Sequence, residues 1–418
     1  MTVRLARIGW SNLWRNPRRT LITIAALTLG MIMLAVTLSL MTGMNRDLIE
    51  QGTSLLLGHV QIHARSYRPD RSIFDTIPGN GPALAARIRQ QAGVLGASPR
   101  VNAYGLVSAG EHSAGADLLG VIPELESEVS ILGNHVVAGT SLQVSAATGR
   151  REVLVGERLA HTLGVGPNDE LVILTQAVDG SLGNDLYRVA GLLQTQIEAV
   201  DGGLVMMRLD DLQELLGLDQ TRIHEIAIRG INPAGAVELA ARLRRDLNLD
   251  NLEVAAWPAL APEIAAYVAM SDGWTWIMYA IVLSLAAIAV LNTMLMAVFE
   301  RFREFGVLAA VGMRPLQIVF LVIAEGAALG VVSLALSVCA GAPLIHWLVV
   351  RGIDLSAITG GFTMSGVAIG PVLRGAWAGG KFLASAGLLI AFSLLAGLYP
   401  AARAARVNPA RLTRGELR

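Results

Sequence analysis

The sequence predicts a membrane protein with four transmembrane α-helices, arranged as one plus three, and a large α+β extracytoplasmic domain inserted between the first and second spans. Three observations carry this expectation. The 418 residues are 53% hydrophobic and only 16% charged, and their mean hydropathy of +0.53 is high for a soluble chain. Four segments are long and apolar, against the roughly 20 residues that a spanning helix needs. Between the first two lies a mostly polar stretch, residues 45–273, with alternating apolar positions and frequent turn signals.

The first span, residues 21–44, contains no charged residue. It exceeds the apolar core of a signal peptide and no A-x-A-like cleavage site follows it, so it is expected to remain as an anchor. The second runs over 274–299. The third, 315–342, is apolar except for Glu325. A loop over 343–381 leads to the shorter fourth span, 382–399, and a tail over 400–418. Residues 1–20 carry Arg4, Arg7, Arg15, Arg18 and Arg19 and no acid. The tail carries Arg403, Arg406, Arg411, Arg414 and Arg418 against Glu416. The positive-inside bias places both ends and the 300–314 connection in the cytoplasm, with 45–273 and 343–381 outside. At about 100° per residue, Arg4, Arg7 and Arg15 share one arc and Trp10, Leu13 and Trp14 fall on the rest. That predicts an interfacial amphipathic helix over 1–20 with its arginines toward anionic headgroups, broken at Asn16-Pro17.

The formal net charge is zero and Cys339 is the only cysteine. No global field favours nucleic acid, and neither an intramolecular disulfide nor a cysteine-based metal site is available. Within the inserted domain, strands are expected at 59–64, 101–109, 152–155, 170–174, 187–193, 203–207 and 224–228. Helices are expected at 82–91, 157–163, 209–216 and 233–247, and a change of pattern near 140–151 suggests two lobes. Catalytic signals are absent: there is no H-E-x-x-H and no G-x-S-x-G. His59 and His63 share a strand face but have no acid at ligand spacing, so no metal site is expected. Asp201, Asp210 and Asp211 fit loop and helix-cap positions. The run Gly375-Ala-Trp-Ala-Gly-Gly-Lys381 imitates a phosphate loop. Phe382 stands where the Mg²⁺-binding hydroxyl belongs and no strand feeds the run, which excludes nucleotide binding there. A flexible turn with Lys381 snorkelling at a helix end fits better.

The connection at 300–314 is the most informative stretch. Glu300, Arg301, Arg303 and Glu304 alternate with Phe305, Gly306, Val307, Leu308 and Val311, and on a helix polar and apolar faces separate. Gly312 suits the C-terminal stop and Pro315 the first turn of the next span. A short amphipathic helix of this kind fits a groove on a partner protein.

This E-R-x-R-E-F-G-V-L-x-A-x-G-M run resembles the coupling-helix signature of the FtsX-like/MacB-like ABC transporter permeases. The tail from Tyr399-Pro400 to Pro409 is similar to the family's ending, and Glu325-Gly326 to its intramembrane acid. The outer stretch from Val153 to Leu193 is similar to the family's outer domain. The segment Gly58-His-Val-Gln-Ile-His63 most resembles the LolC/LolE-type lipoprotein-releasing permeases, although Arg411-Leu-Thr-Arg414 departs from the usual ending. The resemblance implies a non-catalytic permease in the bacterial inner membrane, working by mechanotransmission. ATP and Mg²⁺ are then bound by a separate ATPase dimer and not by this chain. It also implies a second permease copy or paralogue, a lipoprotein or other envelope substrate, and a periplasmic carrier or adaptor. Efflux of the MacB type and regulation of a cell-wall hydrolase of the FtsX type are the alternatives. From the residues alone, Gly326 and Gly330 offer close helix packing, as does the pair Gly387/Ala391. Glu325 must face the bundle, paired or protonated. Met33, Met41, Met44 and Met278 could form an adaptable wall for acyl chains.

Overall fold

The computed structural model describes residues 14–142, 151–195, 197–354, 362–364, 367–369 and 372–405. Most of the expected N-terminal amphipathic helix, the tail beyond residue 405 and the core of the expected lobe boundary lie outside these. The described residues fall into two compact units. One comprises Met1–Arg46, Val268–Ile358 and Val372–Arg418, the other Asp47–Tyr267 and Thr359–Pro371.

The first unit is a helical bundle. Counting helices of seven residues or more along the chain, its members are α1 (Pro17–Gly52), α7 (Pro262–Glu300), the short α8 (Phe302–Ala310), α9 (Pro315–Val350) and α10 (Gly379–Ala405). All but α8 are long and apolar enough to cross a membrane. Each long helix runs past the apolar segment that announces it. Hydropathy marks only the portion that hydrocarbon surrounds, whereas helical hydrogen bonding continues until a cap stops it. On α1 the buried residues Ile24, Leu27, Met31, Leu34 and Leu38 repeat at three and four, one stripe facing the bundle core. On α9 the buried stripe includes Ile318, Val322, Glu325, Leu329, Ser333 and Ser337, so helical phase alone carries Glu325 inward. A Cβ on Gly326 would lie 3.5 Å from the Ser393 carbonyl and one on Gly330 3.3 Å from Ser393 Oγ, so both glycines admit α10 closely. Gly387 has no neighbour within 4 Å and sits on an exposed face with Ala391. That pair therefore makes no helix contact here: small residues permit close approach, but burial decides whether it happens.

The second unit is built on a ten-stranded mixed sheet. Its strands are β1 (Val60–Ala64), β2 (Val94–Ala109), β3 (His112–Val121), β4 (Val136–Gly139), β5 (Glu152–Gly156), β6 (Glu170–Gln176), β7 (Leu182–Leu193), β8 (Leu204–Arg208), β9 (Glu225–Gly230) and β10 (Leu252–Ala256). The order is β10-β1-β9-β2-β3-β8-β5-β7-β4, with β6 pairing β2 and β7. The pairs β3/β8 and β5/β7 are parallel and the others antiparallel. Helices α2 (Gly81–Arg89), α3 (Pro123–Val129), α4 (Glu157–Leu163), α5 (Leu209–Leu215) and α6 (Ala236–Asp246) complete it. The Asn80 side chain caps α2 through Ala83 N–H, with proline in the first turn, as the Ile77–Gly81 turn foretells. Strands β3, β4 and β10 were not expected. His112–Val121 is rich in Gly, Ala and Ser and has weak strand propensity, yet ten residues of antiparallel register against β2 hold it. On either side of the expected lobe boundary, β4 and β5 pair with the same strand, β7.

Arg100 is 1% exposed and sits at the centre of this unit. Its Nε donates to Glu126 at 3.0 Å, one Nη to the other Glu126 oxygen, and the second Nη to Glu225 at 3.2 Å and to the Leu56 carbonyl. Burial alone would push the Glu126 carboxyl up, but the Arg100 charge and its hydrogen bonds outweigh that and hold it below the ordinary carboxylate range. Breaking such a buried set from one side costs about 3–5 kcal/mol. Arg100→Met should therefore lower the stability of this unit by that amount, measured as a shifted urea midpoint of the purified full-length protein. Because the folded pKa of Glu126 is depressed, its stabilising share is complete above the ordinary carboxylate pKa and disappears as pH falls through the lowered value. Acidification below the ordinary carboxylate pKa should thus lower the urea midpoint of the wild type, and Glu126→Gln should flatten that dependence.

Candidate functional site

The predicted amphipathic connection forms α8, bounded by Arg301 before Phe302 and by Gly312 at φ +99 after Val311. Gly312 occupies the left-handed region, which explains why glycine ends this turn. The apolar residues divide in a way the charge pattern does not reveal. Phe305 is fully buried and Leu308 packs beside it against the bundle core. Val307 and Val311 are 63% and 83% exposed, and Arg303 lies exposed on the same side. Positions 303, 307, 310 and 311 share one helical face, so α8 turns Phe305 and Leu308 inward and presents a mixed basic and apolar face outward.

A polar cluster fixes the start of α8. Arg301 Nη1 donates to Glu325 at 2.6 Å and its Nε to Glu304 at 3.0 Å, and its guanidinium lies 5.3 Å from the Phe305 ring centre. Arg15 grips the Glu304 carboxylate with two parallel bonds of 2.8 and 2.9 Å. Glu300 accepts from Asn16 at 2.7 Å and from Arg19 at 3.0 Å. Hydrogen bonds from Arg15 hold the Glu304 pKa below its ordinary value, with Arg301 contributing. Three arginines thus answer three glutamates around a cavity of about 200 Å³ that Thr20 and Thr293 also line. Glu325 is 5% exposed, nine residues past Leu316 and hence about 14 Å along α9. An ionised carboxylate at that depth requires its partner.

Family models match on both sides of this geometry: a MacB-like periplasmic core domain over residues 20–246 and an FtsX-like permease C-terminal domain over residues 276–409. The chain belongs to the FtsX-like/MacB-like permease family. Among relatives of this permease, the lipoprotein-releasing system transmembrane protein LolC of Xylella fastidiosa (strain Temecula1) is 24% identical over 404 residues, covering 94% of this chain and 93% of its own. LolC of Neisseria meningitidis serogroup B is also 24% identical, over 95% and 94%. The periplasmic region of MacB from Actinobacillus actinomycetemcomitans aligns with 52% of this chain and 95% of its own, at 13% identity and a TM-score of 0.37.

Within this permease the residues singled out from sequence are only partly brought together. Glu300, Arg301, Glu304, Phe305 and Glu325 converge, while Arg303 and Val307 point away from them. Arg15, expected to face headgroups, binds Glu304 instead, a stronger and fixed counter-charge, and Arg19 binds Glu300. Asn16 reads in the sequence only as a helix breaker, and no local signal links it to Glu300. Lys381, in the first turn of α10, pairs with Asp272 at 2.8 Å in an exposed contact. Of the four methionines, Met33 is 72% exposed, whereas Met278 packs against the bundle core. His59 accepts from Gly230 N–H at 3.1 Å, and burial pushes down the pKa of both His59 and His63. Among the described residues no group of three His, Cys, Asp or Glu side chains could hold a metal.

Arg301→Met removes the only cation in hydrogen-bond contact with Glu325 among the described residues, leaving a buried carboxylate whose isolation costs up to about 2.5–3.5 kcal/mol. That variant should unfold correspondingly earlier in detergent titration. Adding Glu325→Gln should recover most of the loss, because the double variant buries no uncompensated charge.

Proposed function

We propose that this chain is the membrane subunit of an ABC transporter that releases lipoproteins from the bacterial inner membrane by mechanotransmission. The observation that carries the reading is the near-full-length similarity to LolC proteins. In this reading both termini and α8 are cytoplasmic, following the arginine excess at 1–20 and 400–418. The outward face of α8, with Arg303, Val307 and Val311, enters a groove on a separate ATPase dimer. That dimer binds ATP and Mg²⁺, and this chain binds neither. Closure of the dimer displaces α8. Arg301 links α8 to Glu325 of α9 as well as to the end of α7, so two spans receive the displacement together. A second permease copy or paralogue completes the transporter, and a periplasmic carrier or adaptor accepts the lipoprotein.

Depleting the protein should leave outer-membrane lipoproteins in the inner membrane, measured by membrane fractionation; unchanged sorting would remove the reading. In the reconstituted transporter, Glu304→Lys inverts the charge facing Arg15 and Arg301, and Gly306→Pro breaks α8. Each should reduce lipoprotein-stimulated ATP hydrolysis by about tenfold, equivalent to about 1.4 kcal/mol of coupling, while the chain still inserts. Full stimulation in both variants would count against a coupling role for α8.

A further inference from the structure

At the end of the bundle remote from the Arg301 cluster, α1 and α9 enclose an apolar cavity of about 240 Å³. Nearer the cluster the two helices touch: Thr28 Oγ1 lies 3.4 Å from the Ser333 carbonyl and Ser337 Oγ 3.4 Å from that of Thr28. Beyond Ser337 they are lined by small residues, Ala35 and Ser39 on one side and Gly341 and Ala342 on the other, and Trp377 and Gly379 close the space from the α10 side. The two hydroxyls in the wall are already used, since Ser39 Oγ donates to the Ala376 carbonyl at 3.0 Å and Ser337 Oγ to that of Ser333 at 2.6 Å. With both protons spent, the wall offers water little beyond acceptor oxygens amid apolar carbon, and an apolar cavity of even about 150 Å³ stays dry yet accepts an apolar guest. Left empty, the lining forfeits its dispersion contacts.

The surroundings select the guest. The lining residues of α1 and α9 follow Thr28 and Ser333 toward the ends of these helices remote from the cluster. Val338 lines the cavity and is itself exposed, as are Leu336, Leu344 and Trp347 of the same helix, an apolar surface that only a bilayer or another span satisfies. At the end of the same helix the exposed Arg351 and Arg374 stand where a lipid phosphate lies. We propose that this cavity binds one acyl chain of a bilayer phospholipid, whose headgroup rests at Arg351 and Arg374. The bound chain wedges α1 from α9 at this end while the Thr28–Ser337 contacts hold them together at the other. The site is separate from the α8 cluster, and its occupancy does not depend on the transporter reading.

Native mass spectrometry of the full chain extracted from vesicles of phosphatidylethanolamine and phosphatidylglycerol should show one retained phospholipid per chain. Gly379→Leu, whose side chain has open space to enter, and Ala342→Phe should each reduce that retention at least about fivefold. Val331→Phe, on the exposed face of α9, should leave it unchanged. Equal retention in all four proteins overturns the proposal. So does displacement of the lipid by a diacylated cysteinyl peptide at equimolar concentration, which would assign the cavity to a lipid-linked substrate. A disulfide between two copies carrying Val338→Cys in a Cys339→Ser background, with no lipid retained, would assign it to a second copy and equally overturn it. Should the filled variants fail to fold, a protein with Trp377 as its only tryptophan decides. Phospholipid brominated near the chain terminus must quench Trp377 more strongly at low mole fraction than it quenches a lone Trp347, and equal quenching overturns the site.

Discussion

One guanidinium sets the geometry at the charged end of the bundle. The buried stripe of α9 runs through residues 318, 322, 325, 329 and 333, so Glu325 cannot be turned to solvent without unpacking Val322 and Leu329. Its carboxylate therefore needs a cation at a fixed place, and Arg301 at the α7/α8 junction supplies it. With one Nη committed to Glu325, the Nε faces Glu304, which fixes the rotation of α8 about its own axis. That rotation buries Phe305 and Leu308 and exposes Val307 and Val311. The outward face of α8 is thus a consequence of where one acid falls in the helical repeat of another element.

Much of this architecture was legible in the sequence because the bilayer imposes a long-range rule that local composition must obey. Apolar runs located all four spans, and the polar stretch between the first two located the inserted sheet. What stayed hidden was pairing. Glu325 has Arg301, Arg303 and Arg314 within reach along the chain, and only helical phase excludes Arg303, which faces outward. Arg15 reads as a headgroup ligand because its glutamate partner lies almost 300 residues away, a separation that no local periodicity encodes, and the same distance hides the partner of Arg19. The methionines suggest adaptable apolar surface, whereas the open space in the bundle arises where small residues such as Ala35, Gly341 and Ala342 stand among larger ones such as Leu38, Ile345 and Phe382. Strand β3 escaped because its Gly-Ala-Ser composition carries little propensity, and its partner β2 rather than its own sequence stabilises it.

The inserted unit repeats the logic of a charge fixed at a helix end. Helix ends leave carbonyls without intrahelical partners, and the π-turn Thr53–Leu57 ends with nearly all of them captured. The Thr53 carbonyl accepts from Gly58 N–H at 2.7 Å, that of Ser54 from Ile131 N–H at 2.9 Å, and that of Leu57 from the Gln61 side chain at 2.9 Å. Leu56 is taken by Arg100, which Glu126 and Glu225 hold ionised. Such a turn cannot fray into a soft joint without uncovering a buried ion. The chain then enters β1, which is flanked by β9 and β10 with Val60 opposite both Ile228 and Ala256. A pull on residue 57 would have to break two ladders at once to move β1 alone, or strip Arg100 of its acceptors to unwind the turn. Both cost more than carrying the sheet along, so within this unit a displacement at the entry moves the strands as one body.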